Sequence, residues 1–153
     1  MHRAALIAVL ALQAFVAAFV LLHDWIPLGR LNNNNRGVIE VDSRTKRIFV
    51  TLLSALPFVL GFAWSVAAAS RPGFPMGLEI LLWITYLVAL YGLLRAWWIP
   101  YLWIPDPARA ERYRVMFAGT HRFLPERNGI APDTLHVTLH LCVVGILILL
   151  PLV

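Results

Sequence analysis

The chain has 153 residues, of which 60% are hydrophobic and only 14% charged, with a formal charge of +5. Soluble domains carry about 25% charged residues, so the composition argues against one and for a single all-α integral membrane domain over residues 1–153. The positive charge does not imply nucleic acid: the basic residues sit in short loops beside apolar stretches, where they orient a chain and touch lipid headgroups.

Four stretches reach the roughly 20 mainly apolar residues that cross a hydrocarbon core. They run from about Ala4 to Leu22, Ile48 to Ala69, Leu78 to Trp98 and Thr134 to Val153, and predict a four-transmembrane-helix bundle. The first opens MHR and has small residues near AFVAA, as a signal peptide would. Its apolar core exceeds the roughly 7 to 15 residues of such peptides, so it reads as a retained helix. Ala4, Ala8, Ala11, Ala14, Ala17 and Ala18 recur at spacings of three and four, which lets a neighbouring helix approach closely. Gln13, the one polar residue at depth, is expected to make an interhelical hydrogen bond.

The loop HDWIPLGRLNNNNRGVIEVDSRTKR carries Pro27, Gly29, Gly37 and four asparagines, all tolerant of turns. Irregular structure is expected here, the alternation in VIEV being too short for a strand pair. Pro57 and Gly61 predict a kink or tight packing in the second helix. The short turn SRPGFPMG makes the second and third helices antiparallel neighbours. Glu79, at the head of the third, faces the positive end of its dipole.

The third helix leaves through WWIPYLWIP, where Trp97, Trp98, Tyr101 and Trp103 read as an interfacial aromatic belt. Pro100, Pro105 and Pro107 are expected to stop it. Asp106 as N-cap and Pro107 at the first position then predict a short amphipathic interfacial helix over about 107–124. Tyr113, Met116, Phe117, Phe123 and Leu124 would share one side of it, with Glu111, Arg114 and Arg122 opposite. The fourth helix starts at Asp133 or Thr134 and places His136 and His140 on one face. His140 lies about 9 Å beyond Thr134 and is expected to carry more of any site than His136. Cys142, the single cysteine, reads as a small hydrophobe.

Four spans put both termini on one side. That side has Arg3 and Arg71, and the other has the remaining eleven basic residues. Positive loops stay inside, so the expectation is a bacterial inner-membrane protein with periplasmic or exterior termini and cytoplasmic long loops.

The candidate site gathers at the cytoplasmic end. The expected ligand-binding residues are His23, Asp24, Arg95, His121, Arg122, Arg127, His136 and His140, with Arg30, Asn128 and Asp133 at the rim. Three readings compete. One is a structural polar network in which the histidine pair bonds to Asp24, Gln13 or a carbonyl. Another is a pocket for an anionic lipid or other amphiphile, with Arg95, Arg122 and Arg127 supplying charge. The third is a metal or haem site built from His23, His121, His136 and His140, since imidazoles at i and i+4 can ligate one ion.

No glutamate lies between the paired histidines, and the spans lack carboxylates for a di-iron centre, so no cofactor is favoured. There is no phosphate-cradling glycine loop, no nucleophile with an evident base, no inverted repeat, and no deep ionisable residue besides His140 to couple ions. The function expected is binding of an anionic amphiphile at a polar, basic, His-containing mouth, or service as an accessory subunit of a membrane complex. Partners would be membrane lipids, another membrane protein or a second copy of the chain. The alternative is a membrane-embedded enzyme on a lipid-soluble substrate, with His140 and His136 as acid-base or metal groups and Arg95 steering an anionic head.

Overall fold

Long apolar runs can satisfy their backbone polar groups only internally, and this chain does so with helices. The structure, a computed structural model, describes residues 3–32 and 39–153. Helix α1 is Arg3–Leu22, α2 is Arg44–Ala68 and α3 is Met76–Leu93, which runs on through a π turn, Leu94–Trp98, into Ile99–Leu102. A short α4, Pro107–Met116, precedes α5, Thr134–Leu149, which closes in a 3-10 turn, Leu150–Leu152. The helices Arg3–Leu22, Arg44–Ala68, Met76–Leu102 and Thr134–Leu152 are each long and apolar enough to cross a membrane. Helix α1 packs on α2 and α5, and α3 packs on the same two helices. No strand occurs among the described residues; Asn33, Asn34, Asn35, Arg36 and Gly37 of the expected irregular loop lie outside them.

The bundle is apolar outside and partly polar inside. Leu52, Leu53, Leu56 and Leu60 of α2 and Ile80, Ile84, Leu87 and Val88 of α3 are exposed, whereas Gln13, Ser65, Thr85, His136 and His140 are buried. Ser65 bonds back to the Gly61 carbonyl at 2.8 Å. The interhelical bond expected of Gln13 is not made: the residue is 0% exposed, and neither amide atom has a partner.

Several boundaries differ from expectation for local reasons. Helix α2 begins at Arg44 because Ser43 caps it, accepting from the Lys46 N–H at 3.3 Å. It then runs on past Pro57, and Gly61 serves close packing, since a Cβ there would stand 3.0 Å from Leu82. Pro100 does not stop α3. The preceding turn widens, with the Ile99 N–H reaching back to the Leu94 carbonyl, and the helix continues to Leu102. This frees carbonyls that α4 takes up: Arg109 donates to the Arg95 carbonyl at 2.6 Å and the Tyr113 hydroxyl to that of Ala96 at 3.3 Å.

Helix α4 ends at Met116 rather than near Leu124. Gly119 turns the chain at φ 74°, and the Thr120 hydroxyl bonds the Phe117 carbonyl at 2.8 Å. Phe123 and Leu124 therefore lie outside the helix, with Phe123 exposed.

Beyond this, Arg127 and Ile130 pair both ways at 2.8 Å around Asn128 (φ 53°) and Gly129 (φ 75°). These are the positive dihedrals of a type I′ turn, for which Asn-Gly is well suited. The Asn128 amide donates to the Pro100 and Tyr101 carbonyls at 3.0 and 3.2 Å, and Ile130 is buried against Trp97 and Tyr101. A Cβ at Gly129 would lie 2.8 Å from that of Ala110. Gly129→Ala should therefore cost about 2 kcal/mol or more through strain and clash. Asn128→Gly, which keeps the turn and loses the two bonds, should cost about 1 kcal/mol; thermal unfolding in detergent ranks the two.

Candidate functional site

Asp133 sets the geometry of the site. It caps α5 in an extended conformation, with one oxygen accepting the His136 N–H at 3.0 Å and the other the His136 ring Nδ1–H at 2.7 Å. The residue is only 1% exposed. Burial pushes its carboxyl up, but the bonds and charge of His136 together hold it below the ordinary aspartate value. With Nδ1 committed, Nε2 is the free ring nitrogen of His136. Trp97, Phe117 and Phe19 surround the ring, their centroids 4.7, 5.1 and 5.7 Å from its own.

His23, just past the end of α1, meets His136 edge-on at 5.8 Å and stacks on Phe19 at 4.6 Å. Its Nδ1 donates to the Phe19 carbonyl at 2.9 Å, and its Nε2 stands 3.2 Å from an Asp24 carboxylate oxygen. Burial pushes the His23 pKa below the ordinary histidine value against the opposing pull of Asp24.

These groups line a pocket of about 270 Å³ walled also by Asp42, Arg47 and Val50, by Trp97 of α3, and by Arg112, Tyr113, Met116 and Phe117 of α4 and its end. Two arginines and two aspartates face it, so its wall is charge-balanced rather than basic as expected. Asp42 is engaged by Arg112 at 2.9 Å and Lys46 at 2.5 Å. Arg47 differs. Its guanidinium lies 4.5 Å over the Trp25 ring, while its buried Nε has no hydrogen-bond partner. On the other side of His23 is an apolar groove of about 230 Å³, lined by Phe15, Ala18, Phe19, Leu22, Ile26, Leu28, Asn32 and Leu135. Asn32 holds its end in place by donating to the carbonyls of His23 and Ile26.

Of the expected site residues, His23, Asp24 and His136 come together. His140 does not line the pocket. It is 4% exposed and accepts from the Trp98 indole N–H at 2.9 Å, which puts its own proton on Nε2, a buried atom with no partner. Arg95, within the widened turn, lies in a separate surface pocket beside Pro105 and Asp106. Arg122 pairs with Glu126 at 3.6 Å on the outer side of α4, and Arg127 sits 6.0 Å from the Tyr101 ring.

His121 is exposed. Its ring meets the Thr134 hydroxyl at 2.7 Å, and its backbone ties the loop at Arg30 to Thr134. Asp133 and Asn128, expected at a rim, are structural anchors. Among the described residues no three of His, Cys, Asp or Glu converge as metal ligands. Asp42, Arg47 and Arg112 escaped sequence reasoning; a local signal was available only for Asp42, in its i, i+4 spacing to Lys46. No family model matches the chain, and no curated protein or solved structure matches it.

Asp133→Ala removes a cap and strands the His136 ring, and should cost about 2 to 3 kcal/mol. Because the folded-state pKa of Asp133 is depressed, its contribution is fully present above the unfolded value of about 4 and is lost as pH falls through the folded value. Asp133→Asn should therefore flatten the acid limb of a stability-against-pH profile; an unchanged limb would show that the carboxylate's charge is irrelevant.

Proposed function

We propose that this is an inner-membrane protein whose pocket binds an anionic amphiphile at the cytoplasmic mouth of a four-helix bundle. The observation that carries the reading is Arg47, a cation with an unsatisfied buried N–H in a polar pocket that shares His23 with an apolar groove. An anionic head beside Arg47 and Arg112 and a chain along the groove fit that arrangement. The exposed apolar belt supports insertion, and the excess of basic residues in and around the two long connections supports its cytoplasmic orientation. Fusions at the C-terminus should report as periplasmic and fusions within Asn32 to Asn35 as cytoplasmic; the reverse pattern would overturn the orientation.

Binding is tested with the full chain in detergent and labelled dioleoyl phosphatidylglycerol. Arg47→Gln should weaken it about 10- to 100-fold, the size of one hydrogen bond to a charged group. Glycerophosphoglycerol, which has the head without the chains, should bind more weakly than the lipid, and dioleoyl phosphatidylcholine should not compete. Equal retention of both lipids, or no effect of Arg47→Gln, would remove the reading.

One observation favours an enzyme acting on a lipid-soluble substrate instead: Asp133 binds Nδ1 of His136 and so orients the ring with Nε2 left over, the arrangement a general base uses. Turnover of an amphiphilic ester that disappears in His136→Gln would support it.

A further inference from the structure

The contacts around His23 leave one site short of a proton. Its Nδ1–H is given to the Phe19 carbonyl at 2.9 Å, so the neutral ring presents the Nε2 lone pair to an Asp24 carboxylate oxygen 3.2 Å away. Two acceptors then face each other with nothing between them, whereas a proton on Nε2 turns the contact into a charge-assisted pair. Nothing else nearby supplies that proton. Asp133, across the pocket on α5, has its charge taken up by His136.

The charged groups facing His23 make the shortage general. They are Asp24 beside it, Asp42 ahead of α2, Arg47 on α2, Arg112 on α4 and Asp133 behind His136. Tyr113 and His136, also facing the pocket, are uncharged when neutral. With Asp133 paired to His136, two carboxylates stand against two cations, or three if the half-exposed Lys46 that pairs with Asp42 is included. A monoanion entering between the two aspartates and two arginines of the wall tips it to net negative, in a place where burial makes uncompensated charge costly.

We propose that the pocket takes its anionic ligand together with one proton, which His23 carries between Asp24 and the anion. This rests on the amphiphile reading above and adds to it a chemical class: the pocket selects a monoanion and binds it as the equivalent of its neutral acid. In the empty pocket, burial disfavours the charged form of the ring against the pull of Asp24. The arriving anion adds negative charge beside the ring and favours the proton on Nε2, and by linkage its affinity rises as pH falls.

The experiment titrates the full chain in detergent with dioleoyl phosphatidylglycerol in buffers of different ionisation enthalpy. The phosphodiester stays singly charged near neutral pH, so any proton absorbed is the protein's. Uptake of about one proton per lipid is expected, with affinity rising by up to about tenfold per pH unit as pH is lowered from 8 toward 6. His23→Gln and Asp24→Asn each remove the facing acceptors and should bind lipid with proton uptake near zero and a flat pH profile; two variants cover the failure of either to fold. Lipid binding without proton uptake in the wild type would overturn this inference and leave the pocket reading standing. Absence of lipid binding would overturn both, and full uptake retained in the two variants would place the proton elsewhere and overturn the assignment to His23.

Discussion

A buried carboxylate is tolerable only if its hydrogen bonds are made at once, and Asp133 makes them within three residues of itself. Much of the loop-rich end follows from that pair. The cap fixes where α5 begins, and the ring bond fixes the tautomer and tilt of His136. The oriented ring is the surface on which Phe19, Trp97 and Phe117 pack from three other parts of the chain. Immediately after Asp133, the Thr134 N–H binds the His121 carbonyl at 2.9 Å, and the His121 N–H binds the Arg30 carbonyl at 2.5 Å. The two long connections are therefore tied to each other and to the head of α5.

The second organising feature is Pro100. A proline inside a helix removes a donor and crowds the preceding turn, and here the cost is met by widening the helix rather than ending it. The carbonyls released at Arg95 and Ala96 become the docking points for Arg109 and Tyr113, and those at Pro100 and Tyr101 for Asn128. Helix α4 is thus held to α3 by carbonyls that a regular helix would have hidden, and the Asn128-Gly129 turn by the free carbonyls of the helix's last turn. Docked there, α4 sets Tyr113 and Phe117 on Trp97 with centroids 4.5 and 4.9 Å apart and closes the pocket from above.

The pocket owes its character to imbalance at single residues rather than to net charge. Arg112, Asp42 and Lys46 satisfy one another, and Asp133 satisfies His136. What remains is Arg47, with a cation and no anion, and His23 beside Asp24, with two acceptors and no shared donor. Both lie in the lining of the same small pocket. Gln13 and Tyr86 also carry buried polar atoms without partners, deeper among the helices, and the structure assigns them no ligand.

The four long helices were legible because an apolar run of about 20 residues has few alternatives and its periodicity needs no partner to be read. Capping was equally local: Asp106 and Asp133 declare their helices by side-chain oxygens that reach only three residues forward. The histidine pair at 136 and 140 was visible as one face, yet the face divides between two environments. His136 turns to Asp133 and the pocket, and His140 to Trp98 on another helix, a partner 42 residues away that no local pattern could announce. Arg95 looked like a site residue because it ends an apolar run, yet it lines a different pocket, beside Pro105 and Asp106. Arg47, Asp42 and Arg112 looked like ordinary loop charges, and only the packing of α4 over the bundle mouth brought them to one pocket. Local sequence determined the elements and their ends; which polar side chains would be left without a partner was decided by how the helices met, because satisfaction of a polar group is a property of its neighbours and not of the residue itself.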